Sequence, residues 1–158
     1  VLVNNAGAFL WKQLLDTSLD EWNAMLARNL TSSYLCCRAI LPAMRDRGRG
    51  LIVNIASMHA QRLRPAPNTL PYAIAKAGVV LLTRTLAKSE GRYGIRVNAV
   101  SPGFVDTGEN APTNALSRIP LGRLAQQEEI AAAVAFLASH DAAYVTGTVL
   151  DVHGGALL

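Results

Sequence analysis

Charge is scarce in this sequence. Asp, Glu, Lys and Arg make up 16% of its 158 residues, against 51% apolar ones. That balance excludes the disordered class, which needs low hydrophobicity and high net charge, and it supplies a large core. Aromatic residues are also few, at 6%. None interleave with the basic residues, so a nucleic-acid surface of rings among cations is not expected. The net charge of +4 is modest. Basic side chains are dispersed, apart from Arg45, Arg47 and Arg49 in one loop and Arg62 and Arg64 in another. They read as a solvated face, with an anionic ligand or acidic partner as the weaker alternative. Cysteine is confined to Cys36 and Cys37, adjacent on an expected helix and pointing apart. They read as buried packing thiols, with neither a disulfide nor a metal site. No unbroken apolar run nears the ~20 residues of a bilayer span; among the longest is Ile130 to Ala138. No initiator Met precedes Val1, and no basic-then-apolar leader opens the chain. The expected location is the cytoplasm, without a membrane partner.

What is present centres on the stretch from Leu70 to Gly78. Tyr72 and Lys76 stand four residues apart, and a helix places such positions on one face. An ammonium beside a phenol favours the phenolate, so Tyr72 is expected to have its pKa drawn down toward neutrality, where it can give or take a proton. The same pair on an exposed helix face is also ordinary, and its neighbours decide between the two readings.

The pattern around it alternates strand and helix. Val1 to Asn4 reads as a buried strand closed by Asn5-Ala6-Gly7. Ser18 to Glu21 forms a capping box that opens a helical period running to Met44, ended by Gly48 and Gly50. Asn29 lies inside that apolar period, either as a satisfied core polar residue or as a functional one. Leu51 to Ala56 is a second strand with Ser57 at its carboxyl end, the side on which open α/β sheets bind ligands. A polar loop from Met58 to Thr69 leads to the Tyr72 helix, which runs to about Glu90. Ile95 to Val100 is a third strand, stopped by Ser101-Pro102-Gly103. Phe104 to Gln126 has no clear period, and segments this long often cover a site. Glu128 to Ala138 is a short helix and Thr148 to Val152 a fourth strand. Near-continuous apolar strands between helices predict a single α/β domain over 1–158, a doubly wound parallel sheet with right-handed crossovers.

With these residues in place the chain resembles the short-chain dehydrogenase/reductase family along its whole length, from Val1 to Leu158. The resemblance is carried by Asn4-Asn5-Ala6-Gly7, Asn29, Ser57 followed by Tyr72-x-x-x-Lys76, Pro102-Gly103 with Thr107, and the run from Tyr144-Val145-Thr146-Gly147 to Gly154-Gly155. It implies a Rossmann-like fold and an NAD- or NADP-dependent oxidoreductase that interconverts a carbonyl and a secondary alcohol. Tyr72 would exchange a proton with the substrate oxygen, Ser57 would hydrogen-bond that oxygen, and Lys76 would lower the Tyr72 pKa and hold the nicotinamide ribose. Asn29 would anchor a water in the proton relay. Asn5, Ala6 and Gly7 would lie beside the adenosine part of the cofactor, and Pro102, Gly103, Val105 and Thr107 against its nicotinamide end. Within the family the chain looks most like the 3-oxoacyl-carrier-protein reductase type, although pteridine, sugar and steroid reductases share the same features. The resemblance also implies a homo-oligomer, dimer or tetramer, when complete.

Two departures stand out. Ser57 and Tyr72 are two residues further apart than is usual in the family, and the Gly-rich phosphate fingerprint is absent. The chain is therefore expected to be the C-terminal two-thirds of a family member, without its first three strands and Gly-rich turn. The competing expectation is a non-catalytic fragment or interaction module derived from such an enzyme.

Overall fold

Four parallel strands form one sheet in the order β1-β2-β3-β4, in a computed structural model that describes residues 1–61, 65–108 and 115–158. Strand β1 is Leu2–Asn4, β2 is Gly50–Ile55, β3 is Ile95–Pro102 and β4 is Val149–Val152. Register is continuous: Val3 pairs with Val53, Val53 with Asn98, and Val100 with Leu150.

Alternation along β2 explains the two layers, because successive strand residues face opposite sides. Ile52 packs with Cys37 and Met44 of α2 (Ser32–Asp46) and Ala87 of α4 (Leu70–Glu90). Leu51 and Val53 face the other way, onto Leu137, Ile130 and Val134 of α5 (Gln127–Ala138). The expected parallel sheet is thus present. Its β1 end is less well covered: Val3 on this edge strand is 43% exposed, and Val1 just before it 81%.

The predicted capping box at Ser18 forms. The Glu21 amide donates to the Ser18 hydroxyl and the Glu21 carboxylate accepts from the Ser18 amide, opening α1 (Leu19–Leu26). The helix after it is not one regular rod. A π turn at Ala27–Thr31 separates α1 from α2; the expected single helical period does not contain it, because the inserted residue turns the later face by about 100° while leaving the run of apolar residues unbroken.

Three other expectations need correction. The loop after Ser57 begins with a short helix, α3 (Met58–Gln61), while Arg62 and Arg64 lie outside the described residues. Strand β3 continues through Ser101 to Pro102, pairing Ser101 with Asp151 and Pro102 with Val152. Proline is tolerated there because β2 ends at Ile55, opposite Val100, so Pro102 has a strand partner only on the β4 side. Cys37 is buried and its Sγ accepts from Asn4 Nδ2, but Cys36 is exposed. In the aperiodic segment, Val105 bridges to Ala125 and Leu116–Arg118 form a single 3-10 turn; residues 109–114 lie outside the described residues.

Helix α4 spans 21 residues, and Leu70–Tyr93 would match a bilayer span by length and composition. In the sequence Lys76 and Arg84 interrupt its apolar run. Here its buried positions, such as Ala75, Val79 and Val80, pack inside the fold.

Candidate functional site

The carboxyl ends of β1, β2 and β3 open onto a cleft of about 290 Å³. All four residues expected to be catalytic line it: Asn29, Ser57, Tyr72 and Lys76. So do Asn5, Gly7, Pro102, Gly103 and Val105 from the expected cofactor set. Thr107 lines an adjoining groove of about 510 Å³ that shares Asn5, Ile55, Pro102 and Val105 with the cleft and extends along α5. Ala6 is exposed and lines neither space.

Ser57 leaves the end of β2 and is 6% exposed. Tyr72 sits in the first turn of α4, and its hydroxyl is hydrogen-bonded to Ser57. Lys76, one turn later and 5% exposed, donates from Nζ to the carbonyl of Ile55 at 2.7 Å. That bond fastens the helix to the carboxyl end of β2 and holds the ammonium in the cleft.

The electrostatics differ from the sequence expectation. Burial pushes the Tyr72 hydroxyl above the usual phenol value, with only the Ser57 hydrogen bond pulling it down. Burial also lowers Lys76 to about 8. The ammonium lies 5.8 Å from the Tyr72 ring centroid and spends a hydrogen bond on Ile55. Desolvation therefore outweighs the attraction inferred from helical spacing. At neutral pH Tyr72 keeps its proton and Lys76 is charged.

Asn29 occupies the π turn and is 1% exposed. Its Nδ2 donates to the carbonyls of Ala8 at 2.9 Å and Met25 at 3.0 Å, and its Oδ1 accepts from the Ala8 amide at 3.3 Å. Its main-chain carbonyl accepts from Ser33 Oγ at 3.0 Å. Both amide protons are spent on protein groups, so the side chain acts as a clamp on the loop after β1. Gly7 is required by that clamp: a Cβ there would fall 2.5 Å from Asn29 Oδ1 and 3.6 Å from Lys76 Nζ. Gly103 is packed as tightly, with a Cβ position 2.7 Å from His153 Cα.

Phe9 was not singled out from the sequence, yet it lines the cleft and meets Tyr72 edge-on, ring centroids 5.1 Å apart. The available signal was a large aromatic two residues after Gly7. Ile55 was also missed, since its role lies in a main-chain carbonyl.

The trough suits an elongated ligand with hydroxyls near Lys76. Bare backbone at Gly7, beside the Lys76 ammonium, allows the close approach a ribose needs. The residues present thus fit the nicotinamide end of a dinucleotide.

Comparison with known proteins agrees along the chain. A family model described as "Enoyl-(Acyl carrier protein) reductase" matches residues 1–156. The 3-oxoacyl-[acyl-carrier-protein] reductase FabG of Chlamydia muridarum is 42% identical, over 98% of this chain and 64% of its own length. The 4-formylbenzenesulfonate dehydrogenase TsaC1/TsaC2 of Comamonas testosteroni is 40% identical over 98% of this chain and 66% of its own. A crystal structure of a short chain dehydrogenase from Bacillus anthracis superposes with a TM-score of 0.92 at 36% identity, covering 99% of this chain and 64% of that one. The chain thus spans somewhat under two-thirds of the length of the first of these relatives.

Proposed function

Because this chain belongs to the short-chain dehydrogenase/reductase family, we propose that its cleft serves an NAD- or NADP-dependent interconversion of a carbonyl and a secondary alcohol. The observation that carries this reading is the convergence of Ser57, Tyr72 and Lys76 on one cleft at the carboxyl ends of the strands.

A substrate carbonyl oxygen is placed against the Ser57 and Tyr72 hydroxyls, whose hydrogen bonds stabilise the charge that grows there. Tyr72 delivers its proton to that oxygen in reduction and withdraws one in oxidation. Its raised pKa keeps the phenol protonated and ready to donate. Lys76, at about 8, lies in the right range to stabilise the phenolate left behind and to help restore its proton. Asn29 holds the loop of Gly7 and Ala8 against the cleft, and Lys76, Pro102, Gly103 and Val105 would hold the nicotinamide and its ribose; Asn5 and Gly7, expected beside the adenosine part, line the same cleft, with Gly7 next to Lys76. The nicotinamide, when bound, supplies or receives the hydride.

Relatives bearing two different substrate names, one an acyl-carrier-protein conjugate and one a formylbenzenesulfonate, support a carbonyl substrate without choosing between them. For the full-length protein we also propose a cytoplasmic homo-oligomer. Tyr34 and Leu35 of α2 with Ile74 and Leu81 of α4 are exposed apolar residues on its long helices, and this supports pairing of copies there.

A second reading concerns the 158-residue chain by itself. It spans 64% of its first relatives and leaves β1 as an open edge. Without a Gly-rich phosphate turn it should bind a dinucleotide poorly and turn over little, whatever the parent enzyme does. The test is to titrate NADH and NADPH fluorescence against both the full-length protein and this chain, and to follow nucleotide oxidation with aldehydes and ketones. Turnover by the full-length protein alone is the expected result; none with any carbonyl would refute the oxidoreductase reading.

A further inference from the structure

Aromatic residues are rare in this chain, yet three of them gather at one place. Phe9 meets Tyr72 edge-on at 5.1 Å and 79°, and Trp11 meets Phe9 at 6.5 Å and 42°. Phe9 is 57% and Trp11 62% exposed. Single exposed apolar side chains are ordinary, but this pair is displayed by a loop fixed at both ends. Asn29 grips Ala8 through both halves of its amide. At the other end the Lys12 amide donates to the Asn68 carbonyl at 2.7 Å. The Phe9 ring is therefore held in the cleft wall, with Trp11 packed outside it against Phe9, when a flexible loop would have let both collapse inward.

Charge at this loop is already consumed. Lys12 Nζ is paired with Glu21 at 2.6 Å, so the loop offers ring surface and no free cation. The two rings are tilted to one another, forming a corner and not a flat shelf. A flat ring seats in such a corner edge-to-face or offset, the arrangements aromatic groups prefer. A carbonyl bound at the Tyr72 hydroxyl would have its substituent close to this corner, because Phe9 packs directly on the Tyr72 ring.

We propose that Phe9 and Trp11 form a specificity wall for a substrate carrying an aromatic ring at, or within a bond or two of, its carbonyl carbon. This rests on the oxidoreductase reading above and names its substrate class. Phe9 and Trp11 position the substrate; the proton chemistry remains with Tyr72 and Ser57.

The test uses the full-length protein and two ketones with the same number of carbons, acetophenone and 2-octanone. The wild type is expected to show the higher kcat/KM for acetophenone. Phe9→Ala and Trp11→Ala should each lower the acetophenone to 2-octanone ratio at least about ten-fold, in the range a lost apolar contact commands. Trp11→Phe should recover most of the ratio. Both side chains are exposed, so neither truncation opens a core cavity. An unchanged ratio in both alanine variants, or a wild-type preference for 2-octanone, would overturn the wall while leaving the oxidoreductase reading intact. If no carbonyl is reduced, that reading fails and binding decides the wall on its own. A saturable shift of the Trp11 indole N–H resonance on adding acetophenone, lost in Phe9→Ala, would uphold it. No shift would overturn it.

Discussion

Asn29 closes both ends of its side-chain amide on the backbone of a single residue, Ala8: Nδ2 donates to the Ala8 carbonyl at 2.9 Å while Oδ1 accepts from the Ala8 amide at 3.3 Å. This paired contact ties the π turn between α1 and α2 to the loop that leaves β1. It aligns one wall of the cleft with Tyr72 and Lys76 on the other.

The clamp predicts the effect of a single methyl group. In Gly7→Ala the new Cβ would meet Asn29 Oδ1 at 2.5 Å, so the clamp must open or the loop must move. Gly7 is itself exposed, and the loss of stability should be small. Displacing the loop should cut kcat/KM about 100-fold, the scale of a misplaced reacting group. Steady-state kinetics beside a thermal melt on the full-length protein checks this. A fully active Gly7→Ala enzyme would show the clamp to be dispensable.

Lys76 predicts a pH signature in stability. Its folded pKa, about 8, lies below the ordinary value of 10.5. Below pH 8 both folded and unfolded states carry the proton, and the cost of burying the charge is borne in full. Between pH 8 and about 10 the folded state gives up the proton while the unfolded state keeps it, so the contribution of Lys76 to stability rises with pH. Above that range Tyr72 acts in the opposite sense, because its folded pKa is raised. Denaturant melts of wild type and Lys76→Met at pH 7, 8, 9 and 10 should diverge in favour of wild type as pH climbs. A constant difference would contradict the burial argument.

The Arg45–Glu90 pair predicts an asymmetry. Arg45 reaches Glu90 with two parallel bonds of 2.7 and 2.8 Å, and the Glu90 side chain is only 3% exposed while that of Arg45 is 45% exposed. Arg45→Met leaves a carboxylate buried without its cation, whereas Glu90→Gln leaves a cation that can turn to water. The first should therefore destabilise more than the second, with both losses reduced by solvent screening around the half-exposed Arg45. Equal losses in urea melts would count against this. The arginine also holds the Glu90 carboxyl below its ordinary range, so this stability is present above the usual carboxylate pKa and is lost as pH falls through the lowered one.

The open edge predicts behaviour of the 158-residue chain in isolation. Strand β1 presents unpaired backbone groups beside exposed Val1 and Val3, a template for pairing with other chains. Val3→Lys should raise the soluble fraction severalfold in a sedimentation assay. No gain in solubility would place the aggregation elsewhere.

How much was legible in the sequence followed from how local each feature is. The Ser18–Glu21 capping box is written in four residues and formed as read. The apolar runs of β2 and β3 fixed the parallel sheet, and Tyr72, Lys76 and Ser57 came together because a helix and a strand end dictate their directions. The π turn at Asn29 escaped because its pattern differs from an α-helix by one residue. Proline's usual role as a stop hid the last residues of β3. The pKa of Tyr72 was misjudged in direction, since spacing reveals that a cation is near but not that burial outweighs it, nor that Ile55 engages the cation. The Phe9 contact with Tyr72 spans 63 residues of chain and is a product of the fold alone.

The most direct test of the account is Tyr72→Phe in the full-length protein, measured as single-turnover oxidation of NADH or NADPH by a carbonyl substrate alongside nucleotide affinity. Removing one hydroxyl leaves the ring packed on Phe9 and the Lys76–Ile55 bond in place. The account predicts a rate lowered by roughly 10² to 10⁴, the share owed to general acid catalysis, with nucleotide affinity nearly unchanged. A Tyr72→Phe enzyme that keeps more than a few per cent of its rate would contradict the assignment of Tyr72 as proton donor, and with it the proposed chemistry of the cleft.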